Sequence, residues 1–590
     1  MTPRFSRTVG LLAMVVAMLT TLVPLPATAA LLAQEVACAQ EYTVQVGDLL
    51  SRIADKYLGD PTAYPAIVAA TNQRHETDDT FAQVTNPDLI EIGWKLCVPH
   101  AATATGVEPL TDELLSELEV YIEETRQLYH IPGTVVVIVQ GGEVVYAEGF
   151  GVKEIGSDDP ITPDTVFTIG SLGKAMTSMM VASLVDESLI GWDTPIVEVM
   201  PQFRLSDEHA TQQITLRHAF AHTTGLPNTD LDLIFSGLPP ESLVEYLANV
   251  PLDAAPGESR TYQNEMYATG AYAGAMAAGA EYGENLLESY TGLMQERVFD
   301  PIGMSSTTFS VAEAEASPNH ATPHYITLNA TLAETGFDVT PTHYMEVGAH
   351  APAGTVRSSA LDVGRFLMTM LAGGVAPDGT RVVSTENLVE TWTEQIELTP
   401  APFEQFLDGA GSGLGWRTVS YQGVPMVIHN GGLGGFTSQM AFIPDADTGI
   451  VVLSNLDLAT SHNRYVQYRL VELLYGLAPI VADLPKAEVE QIGGLSALYT
   501  QLAPVDPETV APYLGEYEAL GNPWTVELRE GRLWLTQGPF DYLQLLGSPE
   551  GGYIAIAGGE LLLMPFQFVE GDDGRITLVI AGAFEVPKLD

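Results

Sequence analysis

Apolar and polar positions change rhythm several times along this chain, and each change marks an element. Tyr42-Thr-Val-Gln-Val46 alternates with period two, as a half-buried strand does, and Gly47-Asp48 then turns the chain. Leu49, Leu50, Ile53, Ala54 and Tyr57 recur at helical spacing, and residues 63–70 form a second helical stretch. Asn86-Pro87 breaks the pattern, and residues 95–98 read as a closing strand. Residues 41–100 are therefore expected to form one strand–helix–helix–strand unit. Small residues over 101–109 make a linker. Thr111 caps a helix with Leu114, Leu118, Tyr121 and Thr125 on one face. A hairpin follows at 134–140 and 143–150, turned by Gly141-Gly142. Helical patterns dominate the middle. Strands return near residue 415, at 424–429, 438–443 and 449–453, and a helix at about 463–477 closes the block. Strands at both ends of 110–480 predict a sheet assembled from both ends of one domain. After a connector at 481–507, short strands between glycine turns fill 508–590, the pattern of a small β-barrel or sandwich.

The first thirty residues follow another logic. Arg4 and Arg7 precede an apolar run over 11–23, then Pro24, Pro26 and Ala27-Thr28-Ala29. That is the charged start, apolar core and small-residue cleavage site of a secretory signal. Residues 1–29 are read as a signal peptide, removed on export or kept as an N-terminal anchor. No later stretch is long and apolar enough to span a membrane. Cys38 and Cys97, the two cysteines, allow one bridge in an oxidising compartment. If the outer strands of 41–100 pair antiparallel, these two residues lie close, and a bridge would staple this small unit.

Composition narrows the classes of partner. The 24 Lys+Arg against 75 Asp+Glu give a formal charge of −51, which repels nucleic acid and anionic membranes. At 590 residues and 46% apolar, the chain is globular and large enough for several domains. HExxH, P-loop, G-x-S-x-G and zinc-type Cys/His spacings are absent, so no metal or cofactor is expected.

The candidate chemistry begins at Ser171-Leu-Gly-Lys174, at the start of a helical run. Residues i and i+3 share a helix face, so the Ser171 hydroxyl and the Lys174 amine can meet. A serine hydroxyl is a weak nucleophile until a base takes its proton, and a lysine kept partly neutral by burial can be that base. Of six lysines, only Lys174 has a serine three residues before it. Two further segments join it: Tyr262-Gln-Asn264, after the turn-rich Pro256-Gly257, and His429-Asn-Gly431, which ends an apolar strand and runs into Gly432-Leu-Gly-Gly435.

Ser-x-x-Lys, Tyr-x-Asn and His-x-Gly in this order resemble the serine β-lactamase and penicillin-binding protein superfamily, with the class C-like branch nearest. The flanking Thr215–His218, His222–Pro227, Pro352–Gly354 and Ser358–Asp362 agree. The resemblance covers about 110–480 and implies an α/β transpeptidase fold: an antiparallel sheet with flanking helices, plus a helical subdomain. It implies an acyl-enzyme on Ser171, with Lys174 as base and Tyr262 passing the proton to the leaving group. Asn264 would orient Lys174 or the substrate, and the Ser171 and Gly432 N–H groups would form an oxyanion hole. His429 stands where many relatives carry lysine. A neutral histidine brings far less charge to a substrate carboxylate, so efficient β-lactam hydrolysis is not expected. His222 and Asp362 read as structural.

Residues 41–100 closely resemble the lysin motif (LysM), a βααβ module that binds N-acetylglucosamine polymers. The resemblance implies peptidoglycan or chitin-like glycan as partner, with contacts from Gly47, Asp48, Leu49 and from Ile90, Glu91, Ile92. Together the readings describe a secreted, cell-wall-associated serine hydrolase acting on peptide, amide or ester bonds, D-alanyl cell-wall peptides among them. The alternatives are a β-lactamase proper or an inactive wall-binding scaffold.

Overall fold

The computed structural model describes residues 40–45, 50–58, 64–78, 80–84, 90, 93–98, 110–228, 238–327, 338–345, 348–400, 404, 406–457, 459–489, 506–519, 522–529, 531–537, 540–548, 552–557, 560–571, 574–580 and 584–589. The signal segment 1–29, Cys38, the linker at 101–109, most of that at 481–507, and the glycan-contact candidates Gly47, Asp48, Leu49, Glu91 and Ile92 lie outside the described residues. Two compact units result, one mostly within 1–107 and the other mostly within 108–590.

The first unit has strand β1 (Gln40–Thr43), helices α1 (Leu50–Leu58) and α2 (Tyr64–Thr77), and strand β2 (Lys95–Val98), the two strands pairing antiparallel. Val44, Leu50, Ile53, Ala54, Ile67, Val84, Leu96 and Val98 form its core, and Ile90 packs against it. The regular ladder ends at Thr43, earlier than the alternation suggests. Pairing continues beyond it through Val44 N to Trp94 O and Gly93 N to Val44 O, both 2.9 Å. Helix α2 runs seven residues past the expected end at residue 70. The apolar stretch ends at residue 70, but the polar pair Thr71-Asn72 continues the helix and is turned inward. Thr71 Oγ1 accepts from Cys97 N at 3.0 Å, and Asn72 exchanges two hydrogen bonds with the Val84 backbone. Cys97 is buried and disulfide-bonded.

The second unit opens with helix α3 (Asp112–Leu128), capped by Thr111 Oγ1, which accepts from Leu114 N. Strands β3 (Gly133–Gln140) and β4 (Glu143–Gly151) form the expected hairpin. Helix α4 (Leu172–Asp186) follows and is buried on nearly every side. An all-round apolar helix belongs at the centre of a large core, and this one sits there. Helix α5 (Asn264–Ala277) and the short turn α6 (Ala351–Gly354) pack against it, while helix α7 (Ala360–Leu371) lies on strand β3. Strands β5 (Ile396–Leu398), β6 (Leu407–Ser412), β7 (Arg417–Tyr421), β8 (Val424–Leu433), β9 (Phe436–Ile443) and β10 (Thr448–Ser454) come next, then helix α8 (Thr460–Tyr475). The eight strands form one sheet in the order β4-β3-β10-β9-β8-β7-β6-β5. Late strand β10 pairs with early strand β3, Val451 opposite Val137, so both sequence ends do build the sheet.

The tail is an eight-stranded antiparallel meander, from β11 (Gly515–Ala519) to β18 (Phe584–Pro587). Its first and last strands meet: Tyr517 bridges to Lys588, and Leu589 N donates to Glu516 O at 2.8 Å. The closing strand Gly-Glu-Tyr-Glu-Ala buries Tyr517 between exposed glutamates, too short a signal to register in the sequence pattern. The sheet is thus a closed barrel, which leaves no free edge.

Candidate active site

Ser171 stands at the N-cap of α4, where a serine hydroxyl ordinarily accepts from the first turn of the helix. Here the hydroxyl makes no cap hydrogen bond. It lies 3.1 Å from Lys174 Nζ, one turn on, and 2.9 Å from the Tyr262 hydroxyl. Lys174 is fully buried, and Nζ also donates to Asn264 Oδ1 at 2.6 Å and to the Ala353 carbonyl at 2.5 Å. An ammonium has three N–H donors, and three acceptors surround it. In that state Ser171 Oγ accepts from Lys174 and its own proton is left to donate to Tyr262. With a neutral amine, two N–H groups hold Asn264 and Ala353, and the lone pair faces Ser171. The neutral amine can take the serine proton directly, whereas the ammonium state leaves that task to Tyr262 as a phenolate.

The Tyr-x-Asn spacing has a backbone cause. Gln263 is extended (φ −152°, ψ 113°) and caps α5 through Oε1, which accepts from Met266 N at 2.9 Å. An extended residue sends its two neighbours to the same side. Tyr262 and Asn264 thus both face Ser171 and Lys174, while the buried Gln263 faces away. His222 stacks on Tyr262, centroids 4.4 Å apart, and its Nδ1 accepts from Gln263 N at 3.2 Å. Burial, then the charges of Arg260 and Lys174, hold this imidazole well below its ordinary range. It fits a packing role. Asp362 likewise serves structure: it accepts from Ser306 N and Thr307 Oγ1 at 2.7 and 2.9 Å.

Strand β8 carries the third motif. Its glycines let it press against the nucleophile: a Cβ at Gly431 would stand 2.7 Å from Ser171 N and 2.5 Å from Ile169 O. Gly170, at φ +51°, has the same need, since its Cβ would meet Gly432 N at 2.6 Å. Gly432 lines a narrow cleft together with Ser171, Asn264, His350, Ala353, Gly354, Thr355 and Leu433. His429 is buried, and its Nδ1 donates to the Asn430 carbonyl at 2.6 Å. Burial first, then Lys174, pushes its pKa down to about 3, so the ring is neutral near pH 7.

The structure therefore links Ser171, Lys174, Tyr262 and Asn264 in one hydrogen-bonded network and sets Gly432 on the cleft wall. Among the described residues, His429 joins through its electrostatics rather than a hydrogen bond to the network. Sequence reading missed Ala353, whose carbonyl holds Lys174, and His350 on the cleft wall. The Pro352–Gly354 segment flanks the motifs and carries no chemical signal of its own. A backbone acceptor carries no side-chain signal, so nothing in the pattern singles out Ala353.

The beta-lactamase family model matches residues 118–473, and the LysM domain model matches residues 42–70. The chain is 26% identical to an unguisins hydrolase of Aspergillus campestris, over 71% of this chain and 77% of that one. It is 26% identical to penicillin-binding protein 4 of Amycolatopsis lactamdurans, over 67% of this chain and 96% of that one. Against the D-alanyl-D-alanine-carboxypeptidase/endopeptidase AmpH of Escherichia coli the identity is 26%, over 61% and 89%. The octameric penicillin-binding protein homologue from Pyrococcus abyssi shares the fold, with a TM-score of 0.53 at 23% identity, covering 81% of this chain and all of that one. With its main match spanning most of the second unit and the site assembled as above, the chain belongs to the beta-lactamase family of serine hydrolases and carries a LysM domain.

Proposed function

We propose that this protein is an exported serine hydrolase that acts through an acyl-enzyme on Ser171. The observation that carries the reading is the unbroken chain Lys174 Nζ, Ser171 Oγ, Tyr262 OH, with links of 3.1 and 2.9 Å. Ser171 Oγ gives up its proton to the Lys174–Tyr262 pair as it bonds to the acyl carbon. Tyr262 returns a proton to the departing amine or alcohol, and then draws one from the water that frees the acyl group. The N–H groups of Ser171 and Gly432 receive the oxyanion. Asn264 and Ala353 fix the amine.

The substrate class is a peptide, amide or ester, and D-alanyl cell-wall peptides suit it best. The LysM domain favours this, because binding peptidoglycan raises the local concentration of such peptides. The disulfide at Cys97 agrees with export. Neutral His429 disfavours a dedicated β-lactamase. The test incubates the purified full chain with a fluorescent penicillin and with a fluorophosphonate, beside Ser171→Ala. Stable labelling by both, lost in Ser171→Ala, is expected. Labelling by neither would leave the scaffold reading, and rapid penicillin turnover would make it a lactamase. Pull-down on peptidoglycan and on chitin reads the LysM ligand.

A further inference from the structure

The third motif brings no positive charge to this site, because His429 is buried and neutral. A phenol that hands on its proton passes through a phenolate, and a phenolate away from water needs a cation nearby. Arg260 is placed to be that cation. Its guanidinium carbon lies 5.7 Å from the centre of the Tyr262 ring, and Lys174 Nζ lies 4.8 Å from the same centre. Arg260 Nε donates to Ser412 Oγ on β6 at 3.2 Å, which fixes the side chain. Among the described residues, no carboxylate lies within ion-pair distance of Arg260. Glu404, whose charge bears on it, is engaged by Arg417 through two hydrogen bonds of 2.9 Å.

The groups that face Tyr262 come from every side. Helix α4 supplies Ser171 and Lys174, and α5 supplies Tyr267, a phenol held protonated by burial. The turn after the short helix Leu216–Phe220 supplies His222, held neutral by burial, and the loop before α5 supplies Arg260. The cations among them are Lys174 and Arg260. Lys174 and Tyr262 can share one proton in two ways, amine with phenol or ammonium with phenolate. A second cation beside the ring favours the latter. The phenolate oxygen is then the group that takes the Ser171 proton across 2.9 Å as Oγ bonds to the acyl carbon, and the phenol so formed gives that proton to the leaving group.

We propose that Arg260 is a positioning residue whose fixed charge, held beside the Tyr262 ring, stabilises the phenolate of Tyr262. This rests on the relay role given to Tyr262 above. The test follows the rate of labelling of the full chain by a neutral fluorophosphonate from pH 5 to 10. A neutral probe removes any effect of Arg260 on a substrate carboxylate. Labelling rises with pH as the base form of the site fills. Losing the cation disfavours that form, so Arg260→Met is expected to move the midpoint up by about one unit and slow labelling near pH 7 by about tenfold. Arg260→Lys should restore most of both, which a merely structural role would not produce. Should Arg260→Met fail to fold, Arg260→Gln serves the same comparison.

An unmoved midpoint overturns the inference. So does a loss confined to penicillin, which carries a carboxylate, since Arg260 would then be a substrate receptor. Tyr262→Phe separates the two layers. If it labels like the parent, the relay reading itself fails. If it is crippled while Arg260→Met keeps its midpoint, only the role of Arg260 falls.

Discussion

Gly431 and Gly432 are neighbours on β8, yet the structure assigns them opposite tolerance to a single methyl group. Gly431 has no positive φ, so alanine brings no backbone strain and any effect is steric. The added Cβ would lie 2.5 Å from Ile169 O, 2.6 Å from Ser438 Oγ and 2.7 Å from Ser171 N. To regain ordinary contact near 3.4 Å, these neighbours must give by roughly 0.7–0.9 Å. Two of the three are backbone atoms of the segment that carries the nucleophile. Overpacking of this kind costs about 1–3 kcal/mol. A shift of about 1 Å in a reacting group costs about a hundredfold in rate. At Gly432 the nearest atom to an added Cβ is Phe436 O at 3.6 Å, and alanine keeps the backbone N–H. Gly431→Ala is therefore expected to slow fluorophosphonate labelling about a hundredfold and lower the unfolding free energy by about 2 kcal/mol. Gly432→Ala should stay within about threefold of the parent and unfold at the same urea concentration, since a 3.6 Å contact is ordinary packing. Stopped labelling reactions and urea unfolding followed by tryptophan fluorescence give both numbers. Equal labelling rates in the two variants would refute the claim that contact between β8 and Ser171 sets the geometry of the site.

Tyr262→Phe keeps the ring stacked on His222 and removes one hydroxyl. Labelling should fall about 10²–10⁴-fold while stability changes by no more than about 1.5 kcal/mol, so a rate loss far larger than the shift in unfolding is the signature. His429 and His462 are buried with pKa values pushed down to about 3, against 6.5 when free. Between those values the unfolded chain holds more protons than the folded one. Stability should therefore fall as pH drops from 6.5 toward 3, by up to about 1.4 kcal/mol per pH unit for each histidine. Urea unfolding of His462→Gln between pH 7.5 and 4.5 should show a shallower slope than the parent; an identical slope rejects the assignment. Cys97→Ser removes the disulfide and should cost the first unit about 2–4 kcal/mol, read as lost retention on peptidoglycan at 37 °C with labelling of Ser171 unchanged.

Local spacing carried much of this protein openly. Ser171 and Lys174 are one helical turn apart, so any helix begun there brings hydroxyl and amine together. Tyr262 and Asn264 flank one extended residue and so share a side. The hairpin at Gly141-Gly142 and the two-ended sheet likewise follow from runs of apolar alternation. What the sequence left open are contacts between segments far apart, because periodicity reports which side of an element is buried and not what lies against it. Only the folded chain puts the Ala353 carbonyl on Lys174, the His222 ring on Tyr262 and the Arg260 guanidinium beside that same ring. Only burial makes His429 neutral, since the identity of a histidine fixes its ordinary pKa and its surroundings fix the shift. The barrel closes through Tyr517 and Lys588, a pairing across 71 residues that no local pattern announces. Residue spacing set the chemistry within each segment; the packing of one segment on another decided which groups that chemistry meets.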